Sequence, residues 1–228
     1  MSRQGRASPA LPPAATLSLV RTLTALLDVQ DPALPRLHAA LHACPHDVNL
    51  LPCAPSDGDR ALLALQVTTR SLLGAVAHAT GGLWVDGGWL RVLGAGCARL
   101  PRAIDVWNQI DRAPRCREGL LVADDVLGGF FVWRSATRTI AYLAPDTLAW
   151  EDTETGYEAW LCAMLSPAFA SFYAPLRWSG WRDDVARVRG DQGLSVYPPL
   201  WSSEGRAEQM TSRRAVPIEE LWALHAAG

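Results

Sequence analysis

The sequence predicts an α+β protein with a central antiparallel sheet, made of a hairpin and a meander, flanked by helices. Residues 119–152 contain short apolar runs separated by acidic or glycine turns, as consecutive antiparallel strands require. Residues 83–93 place Asp86-Gly87-Gly88 between two apolar runs, which is typical of a hairpin. Helical patterns lie before and after these strands. This order favours α+β over alternating βαβ units.

Four helices are predicted before the hairpin from leucines at helical spacing. The first covers Leu17 to Val29. Asp31 is a candidate N-cap for the second, with Pro32 at its first position, and this helix ends near Pro45. Leu50 to Pro55 is predicted to be a loop. The other two helices are predicted over Asp59–Leu65 and from a Ser71 cap to Thr80.

The carboxy-terminal half supplies the meander and the remaining helices. Its β-branched and aromatic content predicts strands over Leu120–Ala123, Gly129–Trp133, Ile140–Ala144 and Leu148–Glu151. Helical patterns follow over Tyr157–Leu165, Pro167–Tyr173 and Asp183–Val188. Residues 194–198 are predicted to be extended, and Pro217 opens a final helix.

Length and composition restrict the class of protein. A chain of 228 residues, 49% of them hydrophobic, can bury a sizeable core, and we predict one domain over residues 16–228 after a disordered tail over residues 1–15. The net charge of −2 provides no basic field for nucleic acid. No apolar run approaches the roughly 20 residues of a membrane helix. Five cysteines without a CxxC pair indicate reduced thiols. We expect a cytoplasmic protein with neither a nucleic-acid nor a membrane partner.

Six ordered stretches together resemble a bacterial family, domain of unknown function 2625. They are residues 65–96, 100–108 (LPRAIDVWN), 120–131 (LLVADDVLGGFF), 142–157 (YLAPDTLAWEDTETGY), 191–201 (DQGLSVYPPLW) and 217–222 (PIEELW). The resemblance covers about residues 17 to 228. It implies a wider kinship with SUKH-like domains, which are mostly non-enzymatic binders and include many immunity proteins against toxins. The family implies no established substrate, cofactor or catalytic residue.

Carboxylates at the corners of the meander are the first candidates for function. Asp124 and Asp125 directly follow the end of a predicted strand, and Glu151 ends another. Adjacent strand residues point to opposite faces, so the pair meets only if the backbone turns between them. A turn, in which Asp accepts backbone N–H bonds, is the favoured interpretation. If both acidic groups faced one cleft, acid–base chemistry would become plausible.

Tryptophan is the second candidate for function, because the chain contains ten. Trp178 and Trp181 flank a Ser-Gly turn among charged residues and are candidates for an exposed hot spot. Trp89 and Trp133 are candidates for lining a pocket. Packing in the core is the favoured interpretation for most of these rings.

The sequence contains two weaker patterns. His38, His42 and His46 have metal-ligand spacing, but Pro45 interrupts the helix, and we predict no metal and no cofactor. Arginines cluster in a locally basic segment, which predicts a solvated face or a docking surface for an acidic protein; they are Arg99, Arg102, Arg112, Arg115 and Arg117.

These observations favour a non-enzymatic protein-binding module with an unspecified protein partner. It would use a face or cleft lined by tryptophan and rimmed by carboxylates, and immunity against a toxin is the narrower form. A carboxylate-dependent hydrolase is one alternative, and it predicts that Asp125 and Glu151 converge in a pocket. A small-molecule sensor is the other, and it predicts an enclosed apolar pocket lined by Trp89 or Trp133.

Overall fold

Seven strands form one sheet in which their order is the same as in the chain. This computed structural model describes residues 20–27, 30–206 and 212–226. The predicted tail over residues 1–15 lies outside the described residues, and a single domain over residues 16–228 stays a prediction. All neighbouring strands are antiparallel, which confirms the α+β class. The strands are β1 (Val48–Leu51), β2 (Gly82–Val85), β3 (Leu90–Leu93), β4 (Leu120–Asp125), β5 (Phe130–Arg134), β6 (Thr139–Leu143) and β7 (Trp150–Asp152).

Helices precede, interrupt and follow this sheet. Within the described ranges they are α1 (Leu23–Leu27), α2 (Leu34–Ala43), α3 (Pro55–Leu65), α4 (Leu72–Ala79), α5 (Ile104–Asn108), α6 (Tyr157–Met164), α7 (Ala168–Tyr173), α8 (Trp181–Ala186), α9 (Ser203–Arg206) and α10 (Ile218–His225). Two further strands, β8 (Gln192–Tyr197) and β9 (Ser212–Pro217), pair as a separate small sheet.

The helices give no single membrane span. Among the described residues, no individual helix combines the length and the apolar composition that crossing a bilayer needs. The bent pair Tyr157–Met164 and Ala168–Leu176, which turns by 82°, passes that test only when its two parts are taken together.

Different elements cover the two faces of the large sheet. Successive strand residues point to opposite faces, so Phe130 and Phe131 belong to different sides. The Phe131 ring packs against Trp160 of α6, with ring centroids 5.1 Å apart. The Phe130 ring meets Trp222 of α10 edge-on, with centroids 5.0 Å apart. Helix α6 therefore lies on one side of the sheet and α10 on the other.

The structure confirms some of the predicted secondary-structure elements and contradicts others. Ser71 caps α4 as predicted, because its hydroxyl accepts the Gly74 N–H at 3.0 Å. The predicted loop at Leu50 to Pro55 is wrong, since this region contains the end of β1 and the start of α3. The Asp31 cap is also wrong, because Ala33 occupies the N-cap of α2. Strand β9 is absent from the sequence-based prediction.

A buried histidine attaches the last helix to the turn between β4 and β5. His225 Nδ1 lies 2.7 Å from Gly128 O, and because a carbonyl only accepts, Nδ1 carries the hydrogen. Gly128 has φ of +79°, and a side chain there would meet the His225 ring. Trp201 packs edge-on against the same ring at 5.3 Å. Burial lowers the pKa of His225, so the folded protein favours the neutral ring.

We predict that mild acid destabilises the protein through His225. The pKa of this ring is lowered in the folded chain and close to 6.5 in the unfolded chain. The neutral ring therefore contributes its full stabilisation of the folded protein above about pH 6.5. This contribution is lost as the pH falls towards the folded pKa, by at most about 1.4 kcal/mol per pH unit. Urea unfolding from neutral to mildly acidic pH measures this slope.

The control for this prediction is His225→Asn, whose side-chain amide also donates to Gly128 O but does not titrate. The variant should lose less stability than the wild type over the same pH interval. Equal pH slopes for the two proteins would show that His225 does not carry the effect.

Candidate functional site

Asp124 lies in a buried ion network and not on a rim. It is 1% exposed, and its partners Arg91 and Arg102 are 0% and 5% exposed. Arg91 Nη2 lies 2.6 Å from Asp124 Oδ1, and Arg102 binds both carboxylate oxygens. The two guanidinium groups also donate to the carbonyls of Gln192 and Gly190. One carboxylate therefore joins β3, β4, the segment before α5 and the start of β8.

Asp125 points to the opposite face and closes the turn between β4 and β5. Its Oδ1 accepts the N–H groups of Leu127 and Gly129, each at 2.9 Å. Its Oδ2 accepts the hydroxyls of Tyr142 at 2.7 Å and Tyr173 at 3.4 Å. Burial raises the pKa of Asp125 and raises those of both tyrosines well above the ordinary value. The structure thus shows the turn that the Asp and Gly pattern predicts.

Three of the predicted tryptophans form an interior cluster. Trp89 is fully buried, and its ring lies 5.0 Å from Trp181 and 5.7 Å from Trp178 between centroids. The Arg177 guanidinium lies over Trp89 and Trp181 at 5.0 and 4.3 Å and donates to Asp86 at 2.6 Å. The exposed hot spot considered for Trp178 and Trp181 is therefore corrected: Trp181 is buried and Trp178 half-buried, because both pack around Trp89.

Asp125 and Glu151, which the hydrolase alternative expects to converge in one pocket, are in different environments. Asp125 is enclosed, whereas Glu151 is exposed on β7, opposite Tyr142 of β6. Trp133 is half-buried on β5. The structure thus places Asp124, Asp125 and Trp89 in the interior, where a partner cannot touch them in this conformation. A binding role for the predicted residues stays a prediction.

The histidine pattern does not assemble into a metal site. Among the residues that the structure describes, no group of three or more His, Cys, Asp or Glu side chains is arranged to hold a metal ion. His46 Nε2 lies 2.9 Å from Ser166 O, and its ring packs on Phe169, whereas His38 and His42 are exposed on α2.

Three adjoining surface clefts contain most of the basic segment, and we call them together the arginine groove. The first cleft, about 490 Å³, is lined by Trp84, Gly87, Arg99, Arg189 and Asp191 among others. The middle cleft, about 340 Å³, shares Pro101 and Asp191 with it. The third, about 560 Å³, shares Arg115 with the middle cleft and includes Arg117, Trp150 and Trp222. The clefts therefore follow one another along a single surface.

Every carboxylate that lines the arginine groove already has an arginine partner. Arg189 binds Asp191 through two hydrogen bonds, at 3.0 and 3.1 Å, and these hold the pKa of Asp191 below its ordinary value. The other two carboxylates are also paired: Glu219 with Arg115 at 3.2 Å, and Glu118 with Arg134 at 2.7 Å.

Two arginines of the groove have no such partner. Arg99 and Arg117 are exposed, and no carboxylate of the described ranges pairs with either of them. Arg99 lies over the Trp84 ring at 4.6 Å. The arginine groove therefore has a guanidinium group available at each end, in the first and third clefts.

The middle cleft is mainly apolar at its surface. Val106 is 64% exposed there, beside Pro101 and Pro217. Arg115 lies over the Trp107 ring at 4.0 Å and covers it, so the ring itself is only 6% exposed. Trp107 was not among the predicted site residues, although it lies in the basic segment. The sequence did contain a signal for Trp107, because this tryptophan lies among several nearby arginines.

We predict that the two neighbouring carboxyls respond differently to amide substitution. Asp124→Asn leaves two buried guanidinium groups without a counter-charge and should cost about 3 to 5 kcal/mol of stability. Asp125→Asn keeps an oxygen for the two backbone N–H groups but replaces the oxygen that accepts from Tyr142 and Tyr173 with an amide nitrogen. Both buried hydroxyls then lose their acceptor, so the substitution should cost about 1 to 3 kcal/mol. Urea unfolding of both variants measures the difference, and equal losses would contradict these roles.

Comparisons with known proteins give the family of the chain. A relative that is 36% identical over 208 residues is the uncharacterised protein YbfG of Escherichia coli (strain K12), with 89% of this chain and 94% of the relative covered. An uncharacterised Haemophilus influenzae protein is 33% identical over 172 residues, with 72% and 75% covered. No solved structure matches the chain significantly, and the kinship with SUKH-like domains stays a prediction.

The family comparison agrees with these relatives. The model of a family described as a protein of unknown function, DUF2625, matches residues 23–221, which include the whole seven-stranded sheet, the buried ion network and both Arg99 and Arg117 of the arginine groove. The resemblance inferred from the six sequence stretches is confirmed. The chain belongs to the DUF2625 family of proteins of unknown function.

Proposed function

We propose that this protein is a non-enzymatic protein-binding module that holds its partner in the arginine groove. The observation that supports the proposal is the pair of guanidinium groups without partners, Arg99 and Arg117, at the two ends of an apolar middle cleft. Arginine and tryptophan are enriched at the centres of protein interfaces, where they contribute most of the binding energy. Both residue types line this surface.

The shape of the groove favours a polymer over a small ligand. A small-molecule site encloses most of its ligand in one concave pocket. Here three clefts adjoin and share lining residues, and all three open to solvent. Neither Trp89 nor Trp133, the residues expected in a sensor pocket, lines them. An extended chain that passes from one cleft to the next fits this form better.

The interior carboxyls lend less support to a hydrolase. A general acid or base must come within hydrogen-bond reach of a substrate atom. Both oxygens of Asp125 are already bonded to backbone N–H and tyrosine hydroxyl groups, and the residue is fully buried. Both oxygens of Asp124 are bonded to arginines. Such saturated groups are typical of structural support.

The proposal agrees with the binder role that the resemblance to SUKH-like domains implies. Neutralisation of a toxin is its narrower form. The broader proposal does not depend on that form, because it rests on the groove and not on the kinship.

A photo-crosslinking amino acid at position 106 tests the proposal in the native cells. Val106 lies in the middle cleft with 64% of its side chain exposed, so a docked partner should form a covalent adduct with the probe. The matched control carries the probe at Leu63, an aliphatic residue of α3 that is 39% exposed and lies outside the three clefts.

The expected result is one or a few defined protein adducts from position 106 that are missing from position 63, detected by a mass shift on a denaturing gel. The same adducts from both positions, or none from position 106, would count against protein binding at the groove.

A further inference from the structure

We infer that the partner segment in the arginine groove is acidic at both ends and apolar in the middle. This inference rests on the proposed function, because it names the chemistry of the partner that the same surface binds. Three features of the groove carry it: the two arginines without partners, the apolar middle cleft, and the burial of the Trp84 and Trp107 rings.

Arg99 provides the anchoring point at one end. Its guanidinium lies over the Trp84 ring at 4.6 Å, and stacking on a ring restrains the plane of the group. A guanidinium held in this way keeps its N–H edge available, and that edge matches the two oxygens of a carboxylate. The acidic residue that lines the same cleft, Asp191, is already bound by Arg189. An acidic side chain of the partner therefore supplies the counter-charge.

Arg117 provides the anchoring point at the other end. Its neighbour in the chain, Glu118, pairs with Arg134 at 2.7 Å and leaves Arg117 without a counter-ion. Arg117 lies in the third cleft, whereas Arg99 lies in the first. A segment that satisfies both groups must carry acidic residues at two separated positions.

The part of the partner that lies in the middle cleft must be apolar, unlike its two ends. Its cations are already paired, Arg102 with Asp124 and Arg115 with Glu219 at 3.2 Å. The exposed surface that remains includes Val106 and the prolines on either side. A charge of the partner placed here would lose water without gaining a counter-ion, and this costs free energy. Apolar side chains between the acidic ends avoid that cost.

The groove suits an acidic peptide better than a nucleic acid. Single-stranded nucleic acid binds by stacking its bases on exposed aromatic faces. In the first and middle clefts, Trp84 and Trp107 are only 4% and 6% exposed, so their faces are not open to bases; Trp150 and Trp222, which are half-buried, line the third cleft alone. Glu118, Asp191 and Glu219 would also lie beside a regular row of phosphates. A peptide places its few charges where the groove can match them.

Peptide binding to the full chain tests the inference. The probe is the fluorescently labelled peptide Ac-EEDLVPLDEE-amide, and its matched control is Ac-QQNLVPLNQQ-amide. We expect the acidic peptide to bind and the amide peptide to bind at least about fivefold more weakly at low salt, with the difference shrinking as ionic strength rises. Fluorescence anisotropy measures both affinities.

Substitutions at the two ends locate the binding surface. Arg99→Gln and Arg117→Gln should each weaken the acidic peptide about fivefold, and the double variant about twenty-five-fold. Arg70→Gln removes an exposed arginine outside the three clefts and should have no effect. Circular dichroism checks that each variant is folded. The double variant Arg99→Glu with Arg117→Glu should instead prefer the basic peptide Ac-KKRLVPLRKK-amide.

Several outcomes would overturn the inference. These are equal affinities for the acidic and amide peptides, no detectable binding of the acidic peptide, an equal effect of Arg70→Gln, or tighter binding of oligodeoxythymidylate than of the acidic peptide. The crosslinks from position 106 separate this failure from failure of the proposed function. Adducts there with a partner segment that is not acidic would leave protein binding intact and reject the acidic occupant alone.

Discussion

The buried pairing of Asp124 with Arg91 and Arg102 is the constraint on which the rest of the structure depends. Two guanidinium groups and a carboxylate lie in the interior, where each isolated charge would cost several kcal/mol. They are tolerated because each meets an opposite charge, and because the arginines also donate to the carbonyls of Gln192, Gly190 and Asp125. Such a network specifies one arrangement of its parts, since a displaced member leaves another charge unpaired.

This network also fixes the position of two segments that line the arginine groove. Arg102 belongs to the segment that carries Arg99 and Pro101, and its bond to Gly190 O holds this segment against the strand that begins at Gln192. Gly190 must stay small there, because a side chain would collide with Arg99 O. These two segments supply part of the lining of the first cleft. The buried charges therefore position the exposed ones without touching a partner.

The sequence predicts those parts of the fold whose signals are local. The hairpin and the meander follow from apolar runs separated by Asp and Gly, and the Asp and Gly pattern also predicts the turn that Asp125 closes. Strand β9 was missed because its sequence, Ser212–Pro217, contains two arginines and one β-branched residue, and in the described part of the chain it pairs with β8. The arginine groove was seen only as a basic segment, because Asp191 and Glu219, which line it, are distant in the chain.

The tryptophan cluster also helps to position the segments that line the first cleft. Trp89 and Trp181 hold Arg177 between them, and Arg177 donates to Asp86 at 2.6 Å. Asp86 has φ of +50°, an uncommon conformation for a residue with a side chain, and this ion pair stabilises it. The turn that follows brings Gly87 to the wall of the first cleft, while the helix that begins at Trp181 brings Ala186 to it. The sequence predicted Trp89 and Trp181 as binding residues. In the structure they are buried and pack beside the two segments that bring Gly87 and Ala186 to the cleft of Arg99.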